Sequence, residues 1–490
     1  MDRQIRRLGA AFLVLFLLLF LQANYLQVVA ADKLANDPAN HRLILQEYDV
    51  LRGAILAADG QTVLAKSVPT KGAYKYLRVY PGGALYGQLT GYYSLIYGRS
   101  GLERTYNDYL SGRAPSLLPQ NLVDEILGRP KRGADVITTL VPKIQRAAAT
   151  ALGTLRGGVV AMDPRSGEVL AAVSTPSYDP NPLASHDTAV QQAAWRRILR
   201  NPGKPLLAKG FQQLYPPGST FKLVTASADL QAGATPETTY PNPHQLDLPQ
   251  TSNTLQNFGN EWCLNGAPRL TLDQALTVSC NVVFGGIGLD VGADPLVAQA
   301  QAYGFDQQIP FDLPFAEGKI PPADTFAQNL PLLAYSAIGQ ASVVANPLQM
   351  ALVASAIANG GVEMGPRLVS EIRDASGRVV KRFAPSELGK PISVQTAADL
   401  TTMMVNVVDH GTGTAAQIPG VTVAGKTGTA QHGGSGNPHA WFVAFAPAQH
   451  PTIAVAVVVL DGGSLGSEAT GGRVAAPIAK AVIEAALGRG

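Results

Sequence analysis

The sequence predicts an α+β protein: an antiparallel sheet with flanking helices and an inserted helical lobe, preceded by a small mixed domain and one transmembrane helix. Three observations carry this reading. A length of 490 residues exceeds one ordinary domain. An apolar run near the N-terminus is long enough to cross a bilayer. Strand patterns at 158–173 and again at 425–460 bracket a stretch, 210–410, whose patterns are mainly helix and loop. The division that follows is 1–31 for tail and anchor, 32–154 for a non-catalytic pedestal and 155–490 for the large domain.

Composition narrows the classes of function. Apolar residues make up 46% and charged residues 15%, enough to bury a large core. A net charge of +3 on this length gives no basic stripe and speaks against nucleic acid as a partner. The 50 glycines and 35 prolines announce many turns and irregular connections.

The N-terminus opens with Arg3, Arg6 and Arg7, followed by Leu8 to Leu21 without a polar side chain. Leu8 to Val29 reaches spanning length if Gln22, Asn24 and Gln27 sit at the outer interface, where Tyr25 also belongs. The arginines favour a cytoplasmic N-terminus, which places the rest of the chain outside the membrane. A cleaved signal peptide is the rival reading, with Val29-Ala30-Ala31 as a small-residue cleavage site. Two cysteines, Cys263 and Cys280, suit an exported chain only weakly. A disulfide between them is one reading; a buried free thiol at Cys280, structural in role, is the reading taken.

Residues 32–46 are polar and read as a short helix or stalk. Val50 to Ala65 is a strand, an Asp59-Gly60 turn and a second strand. Tyr74 to Tyr109 is rich in tyrosine and glycine and reads as packing, with Glu103 in an ion pair or cap. Arg129 to Gly133 is a solvated basic turn. A strand at 135–140 precedes a helix that Pro142 starts and that runs to about Leu152. Strands at 158–163 and 168–173 flank the Pro164–Gly167 turn. Further strands fall at 425–431, 440–446 and 452–460, with a loop at 432–438. Helices fall at 347–359 and 475–487.

Three short segments carry the chemistry. Tyr215-Pro216-Pro217-Gly218 is a turn, and the apolar run from Ser219 to about Leu230 a helix, so that Ser219 and Lys222 share one face. A hydroxyl beside an amine is the minimum for an activated serine nucleophile. Alone, the pair reads as an N-cap with an exposed lysine. Likewise Ser279-Cys280-Asn281 alone is a turn or cap, and Lys426-Thr427-Gly428-Thr429 alone an edge strand. In this order, Ser-x-x-Lys, Ser-x-Asn and Lys-Thr-Gly form one constellation. Each residue then has a task. Lys222, its proton affinity lowered by burial or by Lys426, takes the proton of Ser219. Ser279 relays a proton toward a leaving amine, and Lys426 supplies positive charge. Asn281 pairs with peptide groups of an acyl donor. Thr427 and Thr429 bind a terminal carboxylate, and Gly428 admits substrate or the Ser219 turn. Backbone N–H groups of Ser219 and Thr429 make the oxyanion hole.

On these motifs the chain resembles class B penicillin-binding proteins, and most of all the actinobacterial PbpA type linked to septation and cell shape. Pro217 to Lys222, Lys426 to Gln431 and Asn346-Pro347-Leu348-Gln349-Met350-Ala351 carry the likeness, which covers nearly the whole chain. It implies a penicillin-binding/beta-lactamase-like transpeptidase fold. It also implies a peptidoglycan D,D-transpeptidase acting through a serine acyl-enzyme on stem peptides ending in D-Ala-D-Ala. Further implications are acylation by beta-lactams, no metal or organic cofactor, and partnership with a membrane-embedded glycan polymerase and division proteins. By the same resemblance Trp441 lines or supports the site, with core packing as the alternative. Residues 30–150 are too few for a glycosyltransferase module. Two other readings stay open: a D,D-carboxypeptidase or beta-lactamase, in which water replaces the amine, and a non-catalytic beta-lactam sensor or division-complex scaffold.

Overall fold

The structure, a computed structural model, describes residues 2–31, 34, 48–119, 126–128, 131–431 and 436–489. Most of the polar stretch at 32–46, two residues of the basic turn (129 and 130) and residues 432–435 of the glycine-rich loop lie outside the described residues.

The N-terminal helix Asp2–Asn24 continues through one π-helical turn, Tyr25–Val29. Its apolar side chains are exposed on all sides, and the span Arg3–Val29 is long and apolar enough to cross a membrane. An all-round apolar helix with no protein packed on it needs a non-aqueous surrounding.

The pedestal is built on a six-stranded sheet. Its order is Val379–Arg382, Val369–Arg373, Asp135–Thr138, Ile55–Leu56, Val63–Pro69 and Tyr76–Val79. The Asp59 turn forms as expected, with the Asp59 carboxylate accepting from the backbone N–H of Gln61 and Thr62 at 2.9 and 2.8 Å. Glu103 makes the expected ion pair, and makes it twice. Arg52 Nε lies 2.7 Å from one carboxylate oxygen and Arg78 Nε 2.6 Å from the other, all three side chains being buried. Two pedestal strands, however, come from far along the chain. The hairpin 369–382 leaves the large domain and pairs antiparallel with Asp135–Thr138. Conversely, the helix Pro142–Leu152, expected to close the pedestal, packs on the sheet of the large domain. Its buried Gln145 donates to Ala172 O at 3.0 Å and accepts from Ala172 N at 2.9 Å.

That second sheet has five antiparallel strands in the order Ala424–Ala430, His439–Ala446, Ile453–Val459, Gly157–Met162 and Val169–Thr175. The chain thus starts the sheet, leaves it for some 250 residues of helix and loop, and returns to finish it. Pro142–Leu152 and Ala476–Ala486 cover one face. Pro347–Ala358 covers the other; it is buried from Pro347 to Ile357 and capped by Asn346, whose side chain accepts from Gln349 N. Between this central helix and the inserted lobe lies Lys222–Gln231, buried over nine consecutive residues. The late-returning strand Ala424–Ala430 forms the edge of the sheet, and the functional site is assembled against it.

Candidate active site

Ser219 stands on a single 3-10 turn, Gly218–Phe221, that runs directly into the buried helix. In a 3-10 turn residues i and i+3 eclipse, so Lys222 lies beneath Ser219 more squarely than in an α-helix. Two glycines make the turn possible. Gly218 has φ +53° and packs so tightly on the edge strand that an added Cβ would stand 2.7 Å from Thr429 O. Gly339 has φ +71° and leaves no room for a Cβ beside Gly218 O, while its own carbonyl accepts from Gly218 N at 2.9 Å. Ser219 is therefore held from both sides and half-buried.

The three sequence motifs meet at two buried amines. Lys222 Nζ donates to Ser279 O at 2.7 Å and to Asn281 Oδ1 at 2.8 Å, with Ser279 Oγ at 3.4 Å. Lys426 Nζ donates to Ser279 Oγ at 2.7 Å and to Thr427 O at 2.9 Å. Ser279 thus bridges the two lysines. It does so from a strained backbone, φ +60°, in the bend between Leu272–Thr277 and Asn281–Val291. A non-glycine residue in that region costs free energy that its surroundings must hold in place. Every one of these acceptors is neutral, so burial acts on the lysines without an opposing carboxylate. Burial pushes Lys426 down to about 7. Burial first, and the second cation at Lys426, hold Lys222 well below the ordinary lysine range.

A groove of about 1140 Å³ opens over this cluster, lined by Ser219, Ser279, Asn281, Thr427, Thr429 and the segment Thr254–Asn265 among others. Thr427, Thr429 and Gln431 alternate along the edge strand and so present one face to it. Lys426 and Gly428 belong to the opposite face. This decides between the two alternatives for Gly428 and corrects the expectation for Trp441. Gly428 is no contact surface for substrate: a Cβ there would meet Pro217 O at 2.9 Å and Thr220 Cγ2 at 3.0 Å, so the missing side chain admits the Ser219 turn. Trp441 does not line the groove either. It pairs with Gly428 across the ladder, is fully buried and joins the core beneath the strand.

A second correction concerns the cysteines. Cys263 and Cys280 form a disulfide, with Cα atoms 5.9 Å apart, so Cys280 is not a free thiol. The bond ties the groove wall to the middle of the Ser-x-Asn motif. Asn257, missed in the sequence, strengthens the tie: its Oδ1 accepts from Asn281 N at 2.9 Å and Val282 N at 3.2 Å, capping the Asn281 helix from a distant loop. Thr412 was missed as well; its hydroxyl lies 2.6 Å from that of Thr427. The only sequence signals for these residues were the two cysteines and a Gly-Thr-Gly turn.

An arrangement of this kind takes a proton from a serine, holds an acyl group on its oxygen and returns the proton to a departing amine; it is the equipment of a serine acyltransferase. The family model described as the penicillin binding protein transpeptidase domain matches residues 157–484. A second, the penicillin binding protein A dimerisation domain, matches 52–136. The chain is 44% identical to the peptidoglycan D,D-transpeptidase PbpA of Mycolicibacterium smegmatis over the full length of both. It is 42% identical to the PbpA of Mycobacterium tuberculosis over 99% of each. Among solved structures, the ceftriaxone acyl-enzyme of penicillin-binding protein A from M. tuberculosis superposes with a TM-score of 0.87 at 41% identity, over 90% of this chain and all of that one. The penicillin G acyl-enzyme gives 0.84 at 42%, over 89% and 100%. The chain belongs to the penicillin-binding protein transpeptidases.

Proposed function

We propose that the chain cross-links peptidoglycan as a D,D-transpeptidase and is acylated by beta-lactams at Ser219. One observation carries the reading: both amines beneath Ser219 are buried, bridged by a serine hydroxyl and faced only by neutral acceptors. Neutral Lys222 accepts the Ser219 proton as Oγ attacks the carbonyl carbon of the penultimate residue. The oxygen of that carbonyl turns toward the N–H groups of Ser219 and Thr429, two groove-lining residues. Ser279, in reach of both lysines, passes the proton to the departing D-alanine amine. Thr427 and Thr429 receive the terminal carboxylate, and Asn281 the donor's peptide groups. An amine of a second stem peptide then resolves the ester.

Placement follows the same logic. The helix Asp2–Asn24 anchors the chain with Arg3, Arg6 and Arg7 on the cytoplasmic side and the catalytic domain outside. A membrane-embedded glycan polymerase and division proteins are the partners proposed, working through the pedestal.

The test uses the full chain and two reagents. Labelled penicillin is expected to bind wild type covalently and Ser219→Ala not at all; labelling that survives the substitution refutes the nucleophile. A stem-peptide thioester with a D-amino acid acceptor is expected to give amide in excess of hydrolysis. Hydrolysis alone would select the carboxypeptidase reading.

A further inference from the structure

The groove has one wall that the donor chemistry leaves unused. The edge strand holds the donor, and the motif residues act from below. The facing wall, Thr254–Asn265, carries Glu261, the only charged side chain among the groove-lining residues described. Its carboxylate is exposed and enters no hydrogen bond or ion pair among the described residues.

The wall is fixed with respect to the reacting centre. Asn257 caps the Asn281 helix through its side-chain oxygen and donates from its Nδ2 to Glu261 O at 3.0 Å. Asn281 in turn donates to Gln256 O at 3.2 Å. Two residues past Glu261, Cys263 is bonded to Cys280, and its carbonyl accepts from the buried Asn242 at 3.0 Å. The residue before Cys263, Trp262, packs its ring on His244 at 4.7 Å between centroids. A lone exposed carboxylate is ordinarily a solvated surface group. Here its backbone carbonyl accepts from Asn257, whose side chain also caps the helix of the same Asn281 that accepts from Lys222.

We propose that Glu261 is a positioning residue for the acceptor: its carboxylate draws the cationic amine of the second stem peptide into the groove, opposite the donor on the edge strand. This rests on the transpeptidase reading. The need is physical. Amines arrive at neutral pH as ammonium ions, and Glu261 is the one anionic side chain among the described groove-lining residues that can attract them. A single anionic group on the wall raises the local concentration of ammonium ions and so favours amine over water. Glu261 takes no part in bond changes. The ammonium loses one proton to solvent, and its nitrogen lone pair attacks the ester carbonyl on Ser219. The C–N bond forms, the bond to Oγ breaks, and the second nitrogen proton passes through Ser279 and Lys222 to restore the Ser219 hydroxyl.

The experiment measures the full chain with a stem-peptide thioester donor and two acceptors, D-lysine with net charge +1 and D-alanine with net charge zero. Wild type is expected to prefer D-lysine, and 0.5 M salt to weaken the preference, since an exposed charge is screened. Glu261→Gln is expected to lower kcat/KM for D-lysine about two- to fivefold, through acceptor KM and with kcat held, which is the range of one exposed ion pair. Glu261→Lys should reverse the preference, and Glu261→Asp should keep it. Penicillin acylation, which involves no acceptor, is the control for the donor side. The proposal is overturned if Glu261→Gln leaves the acceptor preference unchanged. It is overturned if penicillin acylation falls in parallel, which would make the residue structural. It is also overturned if donor hydrolysis is what falls, which would make Glu261 a base for water. Should wild type form no amide with either acceptor, the transpeptidase reading fails first and this inference with it.

Discussion

Two clusters of buried charge sit in this chain, and they are resolved in opposite ways. In the pedestal, Glu103 lies between Arg52 and Arg78, with Tyr80 OH at 3.3 Å and Arg52 also held by Asn107 at 2.9 Å. Burial alone would raise the Glu103 carboxyl, yet Arg78 and Arg52 hold it below its ordinary value. In the active site, Lys222 and Lys426 are equally buried but meet only a backbone carbonyl each, a shared serine hydroxyl and an amide oxygen. The first cluster keeps its charges because they are paired. The second sheds charge because it is not, and a lysine that sheds its charge is a base. The difference separates a structural use of buried charge from a catalytic one without reference to any motif.

The comparison is broken most severely by removing the shared carboxylate. Glu103→Ala leaves two buried guanidinium groups without a counter-charge, and the expected loss is about 3–5 kcal/mol of stability. Denaturant unfolding measures it; a loss below 1 kcal/mol would show the pedestal to be open to water. At a temperature where the variant is still folded, penicillin labelling of Ser219 should be retained, because the cluster holds the pedestal and does not touch the groove.

A third buried group shows an intermediate solution. Glu363 is buried in a short strand, its Oε1 makes no hydrogen bond among the described residues, and burial raises its carboxyl to about 8. With the folded value above the unfolded one, the unfolded chain holds fewer protons than the folded chain between about 4.5 and 8. Stability from this group is thus complete at pH 4.5 and is lost as pH rises through 8. Glu363→Gln should remove that slope and be more stable than wild type at pH 8 by on the order of 2–3 kcal/mol. Thermal unfolding at pH 5 and pH 8 decides it: parallel slopes in both proteins would mean that Glu363 is already ionised and paired.

Much of this was legible in the sequence, for reasons that name its limits. The strands of the large sheet, the Pro142 and Pro347 helix starts and the three motifs are local patterns, and each lies within a few residues of its expected place. Trp441 is different. The strand His439–Ala446 is buried on both faces, so it shows no alternation from which to tell which face Trp441 takes. The disulfide depends on a Cα separation that no spacing reveals. The hairpin 369–382 lies within the stretch expected to be mainly helix and loop, and that it completes the sheet of the other domain is a long-range pairing no local pattern reveals. Glu261 and Asn257 sit in a loop without periodicity and gain meaning only through what the disulfide brings near them.

The smallest stability effect is also the one that tests the comparison at its centre. Lys426→Met keeps the bulk of the side chain and removes the amine. The gain is release of a buried amine that burial disfavours; the loss is two hydrogen bonds, to Ser279 Oγ and Thr427 O. The net is expected to be a stabilisation on the order of 1 kcal/mol. Its pH dependence has a fixed sign. The folded value of about 7 lies below the 10.5 of an ordinary lysine, so between them the unfolded chain binds more protons and wild-type stability rises with pH. The advantage of the methionine variant should therefore be greatest below pH 7 and fade toward pH 10.5. Over the same range penicillin acylation should fall at least about a hundredfold relative to wild type, because the amine that donates to Ser279 Oγ is gone. A variant that is both less stable and less active would place Lys426 with the pedestal arginines, as a charge the fold needs. More stable and less active is the outcome that marks a residue kept for its chemistry against the preference of the fold.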